Sequence, residues 1–219
     1  MPSDIGFSDD GFILPELRER DHIIEPETPP PGMLYNVPAF GMQEERAERR
    51  RTIDQRVEFV ANLVAHDRPV VIWCQMNDEA DAIEESIADA EQVAGRTPDD
   101  RKCELYEAFA SGQVRVLVIK PKIGAYGLNW QHCNHVVTFV SHSYEQYFQS
   151  VRRCWRYGQK NPVDLDVIAT DGEVRVLSNM RAKAKKADVM FTMLVREMNE
   201  SMKITSDTKE MKLEVPSWL

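Results

Sequence analysis

Short apolar runs recur between residues 69 and 170, and each is long enough for one buried strand. Continuous apolar runs bounded by polar segments are typical of strands covered on both faces. The segments between them have the three- and four-residue spacing of amphipathic helices. This alternation predicts an α/β fold, a parallel sheet with right-handed crossovers and helices on both faces. The predicted strands are PVVIWCQ (69–75), EQVAG (91–95), VRVLVIK (114–120), HVVTFV (135–140) and VDLDVIAT (163–170).

Capping residues mark the predicted helices. The first covers 43–64, with an apolar stripe of valines and isoleucine opposite a cluster of arginines. A second begins after the capping pair Asn-Asp at 77–78. A third extends from a proline to a glycine over 98–112. The run SYEQYFQSVRRCWR (143–156) predicts a fourth helix, which Gly158 ends.

The two ends of the chain depart from this pattern. The N-terminal part is irregular, with one strand-like stretch, HIIEPE (22–27). Three consecutive prolines at 29–31 fit neither a helix nor a sheet and indicate an extended connector. The predicted divisions are a lead-in with its connector (1–40), an α/β lobe (41–172), a long helix packed on the lobe (173–200) and a loosely held tail (201–219).

The predicted C-terminal helix carries a narrow apolar seam. Its members alternate at spacings of three and four, which is the heptad pattern. The seam fits a helix that lies across its own lobe, and it also fits a coiled coil with another chain. Its residues are Leu177, Met180, Ala184, Ala187, Phe191, Leu194 and Met198.

Composition limits the class of protein. The 219 residues are 42% hydrophobic and contain no apolar run long enough to span a bilayer, so a soluble protein without a membrane partner is expected. The N-terminus lacks the apolar core of a secretory signal, which favours a cytoplasmic location. The four cysteines are scattered and fit reduced thiols. His132, Cys133 and His135 match no usual zinc spacing, and no metal site is predicted.

The charge is uneven along the chain. A net charge of -9 argues against a surface that is basic throughout. Basic runs nevertheless occur at 46–51, 152–156 and 181–186. Screening limits the reach of a distant charge to about 10 Å at ordinary salt. An acidic protein can therefore still bind a phosphate backbone along one basic strip.

Two segments carry candidate chemistry. KPKIGAYGLNW (120–130) follows a buried strand, and its glycines Gly124 and Gly127 permit close backbone approach. In a parallel sheet, ligands bind beyond the carboxyl ends of the strands, where this loop is expected. Arg153 and Arg156 are three residues apart, so a continuous helix would present both guanidinium groups on one face. Such a pair can hold a phosphate, and as an isolated pattern it also fits a solvated basic turn.

With their neighbours, these segments resemble known motifs. The segment QSVRRCWRYGQKNP (149–162) resembles helicase motif VI, Q-x-x-x-R-x-x-R-x-G-Q-x-x-P. This form of the motif belongs to the SWI/SNF-type DNA translocases, which are a branch of the superfamily-two helicases. Motif V, G-G-x-G-x-N, is matched except that Ala125 replaces its second glycine. VVIWCQ resembles motif IV, and FILPELRERDHIIE resembles the segment that opens the second lobe. The family's G-x-T-x-x-x-R…F segment is matched by Gly95, Thr97, Arg101 and Phe109. The resemblance as a whole covers roughly residues 11–200, and it is nearest to helicase-like proteins of phages.

The resemblance implies a second RecA-like lobe of a two-lobe ATPase. The chain contains no G-x-x-x-x-G-K-[ST] loop, which the family carries on its first lobe. ATP and Mg would be bound mainly by that N-terminal RecA-like lobe, and this chain alone is expected to be inactive. Duplex DNA, bound without sequence preference, is the other implied partner. The resemblance implies that Arg153 and Arg156 are arginine fingers. Both would contact ATP, together with Gln149 and Gly127. The implied DNA contacts are Gly124, Asn129, Gln75 and Thr97.

Other functions remain open at this level. A stand-alone, non-catalytic RecA-like module that binds DNA or a protein partner would share the same fold. A dinucleotide enzyme is disfavoured because no G-x-G-x-x-G follows the first apolar strand. Two departures from the motif VI pattern also need a reason, because Arg152 replaces a common acidic residue and Trp155 a common histidine. Trp155 could stack on a base or be buried between lobes.

Overall fold

The computed structural model describes residues 8–10, 12–124 and 128–207, and in this part of the chain it shows one six-stranded sheet. Every pair of neighbouring strands is parallel, in the order β1-β6-β5-β2-β4-β3. The predicted α/β class with a parallel sheet is confirmed. The strands are β1 Leu17–Ile24, β2 Val70–Trp73, β3 Ala90–Val93, β4 Val116–Ile119, β5 His135–Phe139 and β6 Val163–Thr170.

Helices cover both faces of this sheet, as predicted. α2 and α3 pack on one face, and α4, α6 and α7 pack on the other. The central strands are buried along their whole length because apolar side chains of successive residues enter opposite cores. The helices are α1 Met42–Arg51, α2 Ile53–Leu63, α3 Asn77–Ser86, α4 Asp99–Ala110, α5 Pro121–Gly124, α6 Tyr144–Val151 and α7 Val174–Asp207.

The single helix predicted over 43–64 is two helices separated at Thr52. The Thr52 hydroxyl donates to the carbonyl of Glu48 at 2.8 Å and accepts from Nε of Arg56 at 3.1 Å. A threonine bonded back to the carbonyl four residues earlier bends a helix. The break lets α1 turn away from the sheet face and lie along its carboxyl edge, where it contacts the ends of β5 and β6 through Arg49.

The expected lead-in is not irregular throughout. Residues Leu17–Ile24 form β1, which pairs in parallel with β6 over eight residue pairs. The predicted strand-like stretch 22–27 therefore begins five residues earlier and ends at Ile24. The sequence LRERDHII is difficult to recognise as a strand because β1 lies at the sheet edge, where half of its side chains are both exposed and charged. Residues 25–41, which include the proline run, form no helix or strand.

A buried carboxylate links β1 to the sheet interior. Asp166 on β6 is fully buried, and its carboxylate accepts a hydrogen bond from Nε of Arg20 at 2.8 Å. It also lies within hydrogen-bond distance of Nε2 of His22, at 2.7 Å, and of Nε2 of His135, at 2.8 Å. Burial alone would raise the pKa of Asp166. The three hydrogen bonds outweigh this effect and hold the pKa well below its ordinary value.

The C-terminal helix is buried against the lobe at its first turns. Val176, Leu177 and Met180 are buried, whereas Phe191 and Met198 further along the same seam are 68% and 61% exposed. The helix continues to Asp207, so the tail predicted over 201–219 begins later than expected. Residues 208–219 lie outside the described part. Among the described helices, none is both long enough and apolar enough to cross a bilayer.

Candidate functional site

The structure brings the segments of motifs V and VI into direct contact. The backbone N–H of Trp130 donates to the carbonyl of Arg153 at 2.8 Å. The side chain of Gln131 donates to the carbonyl of Tyr157 at 2.9 Å, and that of Gln159 donates to the carbonyl of Cys133 at 3.0 Å. Trp130 anchors this junction in the core, with its ring edge-to-face against Phe109 at 5.3 Å. The two motifs therefore form one unit.

The helix predicted over 143–156 ends earlier, at Val151. Ser143 caps its start by accepting from the N–H of Gln146 at 3.2 Å. Residues 152–158 form turns, and both Arg153 and Arg156 lie in them. The expectation that a helix face presents both guanidinium groups is wrong. Arg153 ends the helical pattern because its N–H bonds three residues back, to Ser150 at 3.2 Å.

Arg153 is folded into its own lobe. Its side chain is buried and donates to the carbonyl of Leu128 at 2.7 Å, the carbonyl of Gln149 at 3.1 Å and Oε1 of Gln149 at 3.1 Å. Burial, with a smaller contribution from the charge of Arg156, lowers the pKa of Arg153. An arginine side chain remains charged even so. Arg153 thus fixes the end of the motif V segment, at Leu128, to the end of α6, and its bond partner Gln149 is engaged in the same contact.

Arg156 has a different environment. Its Nη1 donates to Oδ1 of Asn129, while its Nε is buried and no described residue accepts from it. A buried donor without an acceptor raises the free energy of the folded protein, so an added acceptor at this nitrogen would be stabilising. The sequence assigned Arg156 to ATP and Asn129 to DNA, and the structure places the two side chains in contact. Gly127, the remaining predicted ATP contact, lies outside the described residues.

Gly124 closes α5 against the core. A Cβ at this position would lie 2.3 Å from Cδ1 of Ile119 and 3.4 Å from Cζ3 of Trp73. The residue is buried, so packing explains why glycine is needed here. A contact of residue 124 with DNA stays a prediction.

The two departures from motif VI are in contact with each other. The guanidinium of Arg152 lies over the ring of Trp155 at 4.5 Å and over that of Phe148 at 5.0 Å. The indole N–H of Trp155 donates to the carbonyl of Pro15 at 2.8 Å. The segment that precedes β1 therefore covers Trp155 from one side. In this lobe Trp155 is half-buried by its own chain, which accounts for the residue without a nucleotide base.

Gln75 and Thr97 each follow the carboxyl end of a strand, and a contact of either residue with DNA stays a prediction. Gln75 follows β2, and its side chain donates to the carbonyl of Phe139 at 3.4 Å. Thr97 follows the edge strand β3, where its hydroxyl accepts from the N–H of Ala94 at 3.1 Å. Gln75 opens onto a cleft of about 400 Å³ at the carboxyl edge, and Thr97 is not among its lining residues.

Sequence reasoning missed this cleft because α1 forms one of its walls. The basic run 46–51 was the available signal, but nothing local shows that α1 folds over the sheet edge. The His132, Cys133 and His135 side chains do not converge: His132 packs on Phe109, Cys133 bonds the His135 carbonyl, and His135 bonds Asp166. The cleft is lined by Met42, Glu45, Arg46, Arg49, Arg50, Gln75, Met76, Asn77, Asp78, Lys122 and His142.

Comparison with known proteins identifies the central segment. Residues 55–158 match the helicase conserved C-terminal domain. Similar proteins include the bifunctional helicase and thymine dioxygenase JBP2 of Leishmania infantum, 28% identical over 120 residues, which are 54% of this chain and 11% of that protein. JBP2 of Leishmania tarentolae is 38% identical over 73 residues, 32% of this chain and 7% of that protein. The chain thus matches about a tenth of the length of these relatives.

Two solved structures share the fold. The C-terminal part of the Fun30 ATPase domain aligns with a TM-score of 0.51 and 17% identity, covering 57% of this chain and 44% of that one. A DEAD box protein from Methanococcus jannaschii aligns with a TM-score of 0.54 and 16% identity, covering 60% and 37%. Both support a RecA-like parallel sheet. Residues 55–158 of this chain therefore resemble the helicase conserved C-terminal domain in sequence, and the chain shares its fold with the two solved structures.

Proposed function

We propose that this chain is the second RecA-like lobe of an ATP-dependent DNA helicase or translocase and contributes Arg156 to an ATP site shared with an N-terminal lobe. The observation that carries the proposal is the partly unsatisfied Arg156 guanidinium beside Asn129. The motif VI pattern supports the SWI/SNF-type branch, and the run from Gly127 to Gln159 supports a phage-type member of it. A cytoplasmic location accompanies this proposal.

The residues present fit a polyphosphate at Arg156 better than at Arg153. The buried Nε of Arg156 has unused donor capacity, whereas the three nitrogens of Arg153 all donate within the lobe. Arg153 can reach an anion only by releasing Leu128 or Gln149. ATP with Mg²⁺, held mainly by the first lobe, would supply the phosphoryl group that these residues face. Gln149 and Gly127 complete the ATP contacts in this proposal.

In this arrangement Arg156 acts on charge that develops during phosphoryl transfer. A planar guanidinium donates to phosphoryl oxygens without taking up a proton, and it stabilises the transition state more than the ground state. Arg153 positions the loop that carries Arg156 by fixing it to Leu128 and α6. Asn129 holds the Arg156 guanidinium and links it to the motif V segment, so DNA at motif V would move the finger.

A stand-alone, non-catalytic RecA-like module is the second candidate. The engagement of Arg153 within its own lobe favours it, because a purely structural arginine needs no nucleotide. Such a module would bind DNA or a partner protein, and neither arginine would affect hydrolysis by another lobe.

The test is DNA-stimulated ATP hydrolysis by a two-lobe protein in which this lobe follows a phosphate-loop lobe. Arg156→Ala should lower kcat by about 10³-fold or more, as expected for an arginine finger, with KM for ATP little changed. Arg156→Lys should recover little because it lacks the planar fork. Arg18→Ala, an exposed residue paired with Glu16, is the matched control. Equal hydrolysis by Arg156→Ala and the control would favour the non-catalytic module.

A further inference from the structure

We propose that the cleft between α1 and the β2–α3 turn binds the sugar–phosphate backbone of duplex DNA, with Arg46, Arg50 and Lys122 as its phosphate contacts. The inference rests on the proposed DNA-translocase function and assigns DNA contacts beyond motifs IV and V. Two of the three residues lie on α1, outside the segment 55–158 that matches the helicase domain.

The position of the cleft follows from the topology of the sheet. The chain leaves β2 toward β4 and β3, whereas it leaves β5 toward β6 on the other side. Where neighbouring strands of a parallel sheet send their connections in opposite directions, a crevice opens at their carboxyl ends and is the usual ligand site. Gln75 after β2 and His142 after β5 both line this cleft.

α1 is held rigidly as the outer wall. Arg49 donates to Oε1 of Glu173 at 2.5 Å and to the carbonyl of Val140 at 3.0 Å. Glu45 and His142 are joined at 2.6 Å across the same junction. The entry to the helix is also fixed, because the N–H of Ala39 donates to a carbonyl of the 3₁₀ turn at Asp171–Glu173 at 3.1 Å. A wall fixed in advance loses little entropy when a ligand binds.

The inward bonds of Arg49 leave its neighbours free. Arg46 and Arg50 are one helical turn apart, on the same side of α1. Arg46 and Lys122 are exposed and form no ion pair among the described residues, and Arg50 reaches only Asp78, at 3.8 Å. Four cationic side chains line the cleft against two carboxylates, in a chain whose net charge is -9. Locally positive clefts of this kind concentrate polyanions despite the opposite overall charge.

The floor of the cleft favours contact through side chains. The backbone N–H groups of Gln75 and Met76 already donate to Oε2 of Glu79 at 3.0 Å and 3.1 Å, so these two groups are not available to an outside anion. The amide of Asn77 accepts from Lys120 through Oδ1, so its N–H groups remain available. Cationic and amide side chains, without a catalytic nucleophile, are what phosphate-backbone contacts require.

The experiment is a salt titration of a labelled duplex of random sequence binding to the full chain. The double variant Arg46→Glu/Lys122→Glu should bind at least about tenfold more weakly and lose about 2 from the log–log salt slope, since each phosphate contact contributes about 0.9. Arg18→Glu/Lys160→Glu makes the same charge change at the opposite, amino edge of the sheet, where both residues are exposed. This control should differ from the unaltered chain by less than about twofold. Thermal unfolding checks that both variants are folded.

Each of the other possible outcomes of this experiment would contradict a different part of the inference. Equal losses in the two double variants would overturn the inference in favour of a net-charge effect. Equal binding of single-stranded DNA or duplex RNA would overturn the choice of duplex DNA, and displacement of the duplex by ATP at matched ionic strength would make the cleft a nucleotide site. Normal DNA binding by the cleft variant, together with Arg156-dependent hydrolysis, would sink this inference and leave the proposed function standing. Weakened DNA binding by the cleft variant, together with hydrolysis that does not depend on Arg156, would support the cleft as a DNA site and reject the proposed function.

Discussion

The Arg156 side chain donates a hydrogen bond through Nη1 to Oδ1 of Asn129, so a residue of motif VI and a residue of motif V share one contact. Motif V is expected to face DNA and motif VI to face ATP. A direct bond between them gives a short physical route by which DNA binding could change the position of the guanidinium. The first prediction tests whether the two residues act together.

In a two-lobe protein, Asn129→Ala and Arg156→Ala should have strongly non-additive effects on DNA-stimulated kcat. Residues in direct contact show coupling energies of about 0.5–3 kcal/mol, whereas distant residues add. A double-mutant cycle measures the coupling. The matched pair is Thr97→Ala with Arg156→Ala, because Thr97 lies beyond the edge strand β3 and shares no partner with Arg156. Additive losses for Asn129 and Arg156 would show that the bond carries no functional coupling.

The two predicted fingers should differ in their effect on stability. Arg153→Ala removes three hydrogen bonds and leaves the carbonyls of Leu128 and Gln149, two half-buried residues, without this donor. We expect it to lower the free energy of unfolding by about 2–4 kcal/mol. Arg156→Ala should cost less than about 1 kcal/mol, since it loses one partly exposed contact. Urea unfolding of the isolated chain compares the two variants, and a similar cost for both would contradict the placement of Arg153.

Gly124→Ala should destabilise the lobe because its Cβ would overlap Cδ1 of Ile119. Overpacking of a buried site typically costs about 1–3 kcal/mol. Ile119→Val removes that Cδ1, so the double variant should be more stable than Gly124→Ala alone. Thermal unfolding of the four proteins gives the result. If Ile119→Val fails to relieve the cost of Gly124→Ala, the overlap with Cδ1 of Ile119 is not the source of that cost.

Acid should unfold the lobe partly through Asp166. Its pKa is depressed in the folded state, so its contribution to stability is complete above the unfolded pKa, about 3.9, and is lost as pH falls toward the folded value. The free energy of unfolding should therefore decrease from about pH 5 to about pH 2, less steeply in Asp166→Asn. Asp188→Asn, on the exposed side of α7, is the control. The same steepness in Asp166→Asn as in the unaltered chain would exclude Asp166 as a source.

The chain by itself should not hydrolyse ATP. It contains neither the phosphate loop nor the magnesium-binding carboxylates that hydrolysis by this class requires together. Turnover is measured with saturating duplex DNA, and Arg156→Ala is the control for a contaminating ATPase. A DNA-stimulated rate that disappears in Arg156→Ala would mean that this lobe hydrolyses ATP without a partner.

The sequence by itself determined the central sheet and the motif positions. Two strands, Val70–Trp73 and Val116–Ile119, are apolar at every residue, and such a run is typical of a strand buried on both faces. The spacing of Arg153 and Arg156 within motif VI is likewise a local property of the chain. These predictions succeed because burial on both faces and motif spacing are visible within about ten residues, the length of one element.

Only the tertiary structure decided which residues meet. The first five residues of β1 are too polar to be recognised as a strand, and they form one because β6 supplies their backbone partners and Asp166 accepts from Arg20. Arg153 ceases to be a free finger because the carbonyl of Leu128, 25 residues earlier, folds against it. A guanidinium bonds whichever acceptors the packed chain brings near, and their distance along the sequence does not limit them. Local pattern therefore located the arginines, and packing assigned their partners.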